Sequence, residues 1–234
     1  MSWVLANLPT IAGHLLAHLL QAVPAIIASF VLAIPIARLA RTARPLRAVL
    51  VTGSSLLYAV PSLALFVVLP IILATGIRDP LNVIVALTLY GLALLVPATA
   101  DALDAVDARV LDAATAMGMG RLRCFLTVEL PLAGPAILTG LRVVTVSTIS
   151  LTTVGAVLGV RSLGWLFTDG FQRGITAEIV TGLAATAALA LVLDGLVLAL
   201  GRLCLPWTWK RAGDAGAVAA GACAAAPNSQ EGQA

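Results

Sequence analysis

Long apolar stretches alternate along the chain with short segments that hold most of its charged residues. A helix that crosses a membrane needs about 20 predominantly apolar residues. The stretches that meet this length run over residues 12–37, 48–75, 81–100, 135–160 and 177–203. The pattern therefore predicts an all-α fold, a polytopic membrane helix bundle of about five transmembrane helices within residues 1–210.

Two charged residues interrupt the predicted spans, Arg142 in the fourth and Asp194 in the fifth. An uncompensated charge inside the bilayer costs at least about 2.5–3.5 kcal/mol on insertion scales, so each charge needs a partner or a water-filled cavity. At about 1.5 Å per residue, the two positions lie roughly 10 and 14 Å from the same membrane face. One prediction is an intramembrane ion pair. The alternative is that Arg142 reaches the interface while Asp194 faces a partner or a cavity.

The composition supports the membrane class and excludes several others. The chain is 60% hydrophobic and 11% charged, whereas a soluble domain has about 25% charged residues. No run of five Lys or Arg residues indicates nucleic-acid binding. The three cysteines form no metal-binding pattern. Residues 211–234 are rich in Ala and Gly and are predicted to be a disordered tail.

The arginines predict the orientation of the chain. Basic residues concentrate after the first, third and fifth spans, on the side that the positive-inside rule assigns to the cytoplasm. The N-terminus is then outside and the C-terminus is in the cytoplasm. The loop at residues 101–133 is cytoplasmic, and Cys124 within it should react with thiol reagents from that side alone. The ten residues on the cytoplasmic side are Arg38, Arg41, Arg44, Arg47, Arg109, Arg121, Arg123, Arg202, Lys210 and Arg211, and the three opposite them are Arg78, Arg161 and Arg173.

The loop at residues 101–133 contains helical signals of its own. Asp107 is suited to cap a helix that begins at Ala108, and Gly118 is suited to a left-handed C-terminal cap. A second run, "RLRCFLTVEL", should stop at Pro131. From these features alone, a surface helix at the lipid headgroups and a docking element for a soluble partner are equally good interpretations.

The spacing within "DAATAMGMGRLRCFLTVELP", residues 112–131, favours the docking element. The segment resembles the EAA motif of bacterial ABC-importer permeases: E-A-A, three residues, G, nine residues, I-x-L-P. Asp replaces Glu and Val replaces Ile, while the spacing is kept. In that family the loop forms a coupling helix that inserts into a cytoplasmic ATPase subunit. The resemblance assigns ATPase coupling to Asp112, Ala113, Ala114, Met117, Gly118, Met119, Val128, Leu130 and Pro131.

Three further blocks resemble the osmoprotectant branch of the same superfamily, which imports glycine betaine, choline, carnitine or related solutes. They read "LYAVPSLALFVVLP", "VELPLAGPAILTGLR" and "LGVRSLGWLFTDGFQ". The resemblance implies a bacterial cell-membrane permease with three kinds of partner: a cytoplasmic ABC ATPase dimer, a second permease subunit, identical or homologous, and an extracellular or periplasmic solute-binding protein. The chain has no phosphate-binding GxxxxGK[ST] loop, so ATP and Mg would bind to the ATPase partner, and no cofactor is expected in this chain.

A few polar and aromatic residues are candidates for the transport path. Tyr58 and Tyr90 can attract a quaternary ammonium, although anchoring at the interface is the simpler role. Pro61 and Ser62 should kink the second span. Ser147 and Thr148 belong to a hydroxyl-rich part of span four, where packing between helices is the favoured role.

A metal site and an intramembrane enzyme are both disfavoured by the sequence. His14 and His18 are four residues apart but have no nearby carboxylate or Cys, so a satisfied or interfacial pair is favoured over a metal site. An intramembrane enzyme is disfavoured because no nucleophile and base are arranged together. A permease for another small solute and a membrane scaffold remain alternatives.

Overall fold

The computed structural model describes residues 2–41 and 44–206, and the described part of the chain is mostly helical, without strands. The α-helices are α1 (Ser2–Ala6), α2 (Leu8–Ala40), α3 (Arg44–Arg47), α4 (Gly53–Tyr58), α5 (Ser62–Leu73), α6 (Pro80–Asp104), α7 (Ala108–Ala116), α8 (Arg121–Cys124), α9 (Leu130–Thr152), α10 (Trp165–Arg173) and α11 (Thr176–Cys204). Two π-helical turns (Ala48–Thr52 and Phe125–Glu129) and a 3-10 helix (Thr153–Leu158) join some of them.

The membrane-length helices agree with the predicted spans. Four of them are long and apolar enough to cross a bilayer, and one sharply bent pair of helices makes a fifth candidate. The four are Leu8–Ala40, Pro80–Asp104, Arg121–Leu158 and Thr176–Cys204. Lys210, Arg211 and the predicted tail at residues 211–234 lie outside the described residues.

The second predicted span is a broken element. Its two halves, Pro45–Tyr58 and Ser62–Leu73, meet at an angle of 110°. Pro61 precedes α5 with an extended backbone (ψ 126°), because a proline cannot donate the hydrogen bond that would continue α4. The predicted kink is therefore present and is large enough to turn the chain sideways.

The predicted stop at Pro131 is wrong. The helical path runs through it from Arg121 to Leu158. A proline ring normally clashes with the carbonyl four residues earlier, but here the preceding turn is π-helical, and the Leu130 amide donates to the Phe125 carbonyl five residues back. We attribute the uninterrupted helix to this wider turn, which makes room for the ring. Span four consequently begins earlier than residue 135.

Small residues set the closest helix contacts. Along the packed faces of α2 and α6, Ser29 lies against Gly91, where an added Cβ would come within 2.1 Å of the Ser29 hydroxyl oxygen. The proton of the same hydroxyl has two acceptors within reach, the Ala25 carbonyl at 2.7 Å and the Thr88 carbonyl at 3.2 Å. Between α9 and α11, a Cβ on Gly201 would meet Leu138 at 2.2 Å. Glycine and serine let helix backbones approach closely and gain van der Waals contact, which matters in a bilayer because the hydrophobic effect does not drive helices together there.

The bundle has two ends, which we name by the short helices they carry. The α7 end also carries the C-termini of α2, α6 and α11 and the N-terminal end of α9. The α10 end carries the opposite termini of those helices.

Candidate functional site

Local signals fix α7 at both of its termini, as predicted. The Asp107 carboxylate accepts a hydrogen bond from the Arg109 amide at 2.9 Å. At the other end Gly118 has a φ of +83°. The Gly118 amide donates to the Thr115 carbonyl at 2.9 Å and the Met119 amide to the Ala114 carbonyl at 3.2 Å, which is the Schellman pattern of a helix C-terminus.

The helix α7 leaves most of its surface uncovered. It packs on α8 and the second π-helical turn, with Ala114 as its buried contact. Asp112 and Ala113 are exposed, and the Met117 side chain is 72% exposed. The face that carries these residues is available to another molecule.

Other apolar residues of the same loop are exposed as well. Val110, Leu122 and Leu126 are exposed apolar side chains of the same loop, and motif spacing gave no signal for them. Met119 is half-buried, as are Val128, Leu130 and Pro131. The motif therefore divides into an exposed α7 part and a partly buried part that joins the loop to α9.

Charged groups tie this buried part to the bundle. The Arg41 guanidinium, at the end of α2, contacts both Glu129 and Asp104, the latter at 2.8 Å. Arg47 extends the network by pairing with Asp104. The Arg38 guanidinium lies over the ring of Phe125, 4.1 Å from its centre. These contacts link the loop to α2, α3 and α6 across long sequence separations, so sequence spacing could not reveal them.

The break in the second span brings two of the transport-path candidates together. Tyr58 and Tyr90 meet edge to face with ring centres 6.0 Å apart. The Tyr90 hydroxyl donates to the Val60 carbonyl at 2.6 Å. Val60 lies in the break between α4 and α5. Tyr90 is buried and Tyr58 is 46% exposed. Pro61 and Ser62 complete the corner.

Two threonine hydroxyls in the hydroxyl-rich part of α9 donate hydrogen bonds within the helix. The hydroxyls of Thr145 and Thr152 donate to the carbonyls four residues earlier, at 2.8 and 2.7 Å. Thr148 is buried and Ser147 half-buried on the same helix. Such bonds keep the hydroxyls within the helix, which fits a packing role.

The two predicted intramembrane charges are in contact. The Arg142 guanidinium donates to both carboxylate oxygens of Asp194, at 2.8 and 2.7 Å. This paired geometry joins α9 to α11, and each charge has the partner that the bilayer requires.

The histidines of α2 lie near the α10 end. The His14 ring stacks on Trp165 with centres 4.7 Å apart and an interplanar angle of 6°, and His18 is fully buried. No cluster of three His, Cys, Asp or Glu side chains that could hold a metal is found among the described residues.

The described residues form a helical membrane bundle with one exposed, capped loop helix. Residues 25–209 match the family described as binding-protein-dependent transport system inner membrane component. The chain belongs to this family and is a permease subunit of an ABC importer.

Curated relatives carry names from this class. The choline transport system permease protein OpuBD of Bacillus subtilis (strain 168) is 30% identical over 197 residues, covering 84% of this chain and 86% of the relative. The glycine betaine/carnitine/choline permease OpuCD of the same organism is 29% identical, covering 76% of each chain. The ergothioneine transport permease/ergothioneine binding protein EgtU of Helicobacter pylori (strain G27) is 33% identical over 64% of this chain, which spans only 27% of that relative's length.

Solved structures show the same fold. An inward-facing form of the MetNI methionine ABC transporter superposes with a TM-score of 0.73 at 18% identity, covering 83% of this chain and 95% of that one. An amino acid ABC transporter crystallised with histidines gives a TM-score of 0.66 at 18% identity, covering 86% and 94%.

Proposed function

We propose that this chain imports a compatible solute with a quaternary ammonium group, such as glycine betaine, choline or carnitine. The observation that carries the proposal is the relationship to the choline permease OpuBD, which extends over 84% of this chain. The ergothioneine relative supports a second candidate solute.

The proposed coupling element is α7 with the exposed residues around it. Its uncovered apolar face, centred on Met117, suits insertion into a groove of a cytoplasmic ATPase. The Arg41–Glu129 contact would pass a displacement of the loop to α2, because charged partners hold the two elements together. ATP and Mg would be bound by an ATPase dimer, as this chain has no phosphate-binding loop.

The orientation follows from the basic residues at the α7 end. We place this end in the cytoplasm of a bacterial cell, with the N-terminus outside. A second permease subunit, identical or homologous, would complete the path, and a solute-binding protein would deliver solute to the α10 end.

We assign the broken second span to the wall of the solute transport path. Broken membrane helices are tolerated where they are buried in protein or line a cavity. The half-exposed Tyr58 ring, backed by Tyr90, offers a π face to a quaternary ammonium. Ser147 and Thr148 are retained as secondary candidates on α9.

Reconstituted transport tests the solute assignment. The full chain is placed in liposomes with its ATPase and solute-binding protein, and uptake of labelled choline, glycine betaine and carnitine is compared with uptake of ergothioneine and methionine. We expect ATP-dependent uptake of at least one of the first three. Uptake restricted to ergothioneine would favour the second candidate, and uptake of methionine alone would overturn both.

A further inference from the structure

A cavity of about 400 Å³ opens at the α10 end, at the opposite end of the bundle from the coupling loop. It lies between α2, the start of α6 and the segment between α9 and α10. Its lining consists of Ala17, Leu20, Gln21, Arg78, Pro80, Gly159 and Arg161.

Gln21 places a buried acceptor beside this cavity. Its side-chain amide donates to the carbonyls of Ala17 and Arg161 at 2.8 and 2.7 Å, which fixes the side chain in place. Gln21 is 3% exposed, and its Oε1 has no hydrogen-bond partner among the described residues. A buried acceptor without a donor is unfavourable, so the cavity suits a ligand that carries a hydrogen-bond donor.

Two guanidinium groups make the cavity positive. Within residues 2–41 and 44–206, neither Arg78 nor Arg161 forms an ion pair. Arg78 lies across Gly159, where an added Cβ would meet its Nε at 3.1 Å. The neighbouring carboxylate, Asp79, accepts the Leu81 amide as the cap of α6. The cavity therefore suits an anionic group as well as a donor.

The cavity lies at the level of the lipid headgroups. At the α7 end, the ends of α2 and α6 are aligned by the contact between Arg41 and Asp104. On α2, Ala17 lies 24 residues before Arg41, and on α6, Pro80 lies 24 residues before Asp104. Each separation corresponds to about 36 Å along the helix. The hydrocarbon core of a bilayer is about 30 Å thick. With the Arg41–Asp104 contact taken as its cytoplasmic edge, the cavity is just beyond the opposite edge.

An apolar stripe continues from the cavity along α2. Leu16, Leu20, Ile27 and Val31 are 56 to 62% exposed. At 3.6 residues per turn they fall within an arc of about 60° on the helix surface. An amphiphile with its head in the cavity could lay an acyl chain on this stripe.

We propose that the cavity binds a phospholipid whose headgroup combines a phosphate with a hydroxyl donor, as phosphatidylglycerol does. The phosphate accepts hydrogen bonds from Arg78 and Arg161, the hydroxyl donates to Gln21, and the acyl chain covers Leu20 and the stripe below it. Phosphatidylcholine cannot replace it, because its headgroup has no hydrogen-bond donor and no net negative charge.

Lipid retention by the purified full chain tests this proposal. The protein is exchanged into detergent with equal amounts of dioleoyl phosphatidylglycerol and dioleoyl phosphatidylcholine, washed, and its bound lipid is quantified by mass spectrometry. We expect selective retention of phosphatidylglycerol. Arg78→Gln and Arg161→Gln should each weaken its binding about tenfold, the loss of one charge-assisted hydrogen bond.

The matched control is Arg173→Gln. This arginine is at the same end but is paired with Asp169 at 3.0 Å, and its replacement should leave phosphatidylglycerol binding unchanged. Equal retention of the two lipids, or equal losses in the control and the cavity variants, would overturn the proposal. Displacement of the lipid by millimolar inorganic phosphate would identify an anion site without lipid specificity. The affinity of the solute-binding protein is also measured for Arg161→Gln in the absence of phosphatidylglycerol. A lower affinity than that of the unchanged chain would assign the arginines to a protein partner instead.

Discussion

At the scale of single residues, the backbone of Gly118 shows how little of the coupling loop depends on tight packing. Its φ of +83° is in the left-handed region, yet an added Cβ would meet nothing within 4 Å. The requirement for glycine is conformational, and a side chain there costs about 1–2 kcal/mol.

Gly118→Val should therefore unwind the end of α7 and lower solute-stimulated ATP hydrolysis of the reconstituted complex, while the chain still inserts in the membrane. Gly118→Asn should retain more activity, because Asn tolerates this backbone conformation. Gly120→Ala is the matched control, since Gly120 has a φ of −66° and open space around it. Normal hydrolysis in Gly118→Val would remove the support for a cap-dependent coupling helix.

The pair of Arg142 and Asp194 is the second feature at this scale. Asp194→Asn should lower the thermal unfolding temperature in detergent, because the guanidinium loses the carboxylate that accepts its two hydrogen bonds. The double change Arg142→Gln with Asp194→Asn should recover part of the loss. Strictly additive effects of the two single changes would show that the contact contributes nothing.

At the scale of elements, α7 is held at its caps and at Ala114 while its apolar face remains uncovered. Met117→Asp should weaken co-purification of the ATPase partner about tenfold or more, because it puts a charge where an apolar side chain is expected to be buried. Phe171→Asp, a change of an 81% exposed residue on α10, serves as the control at the opposite end. An unchanged yield of ATPase with Met117→Asp would exclude this face as the docking surface.

The elements also show which features sequence can predict. The spans and the caps of α7 follow from local composition and from single residues such as Asp107 and Gly118, so they were predictable. The path through Pro131 was not, because it depends on a π-helical turn whose only sign is its backbone geometry. The contact of Arg41 with Glu129 joins residues 88 positions apart, and motif spacing has no information on such pairs.

At the scale of the whole molecule, the two ends of the bundle provide a test of orientation. Cys124 is buried, so labelling of its thiol is a poor probe of which side of the membrane the loop occupies. In a chain without native cysteines, Met117→Cys should react with an impermeant thiol reagent in inverted vesicles alone, and Phe171→Cys in intact cells alone. The reverse pattern would place the α7 end outside and contradict the proposed contact with a cytoplasmic ATPase.

The link between Arg142 and Asp194 also constrains the order in which the protein is made. The two residues are separated by 52 positions, and ribosomes add about 5–20 residues per second, so Arg142 emerges roughly 3 to 10 s before its partner. The fourth span is then a poor candidate for release into lipid by itself. Its retention at the insertion machinery until α11 arrives would make α11 the helix that completes the membrane integration of this pair of spans.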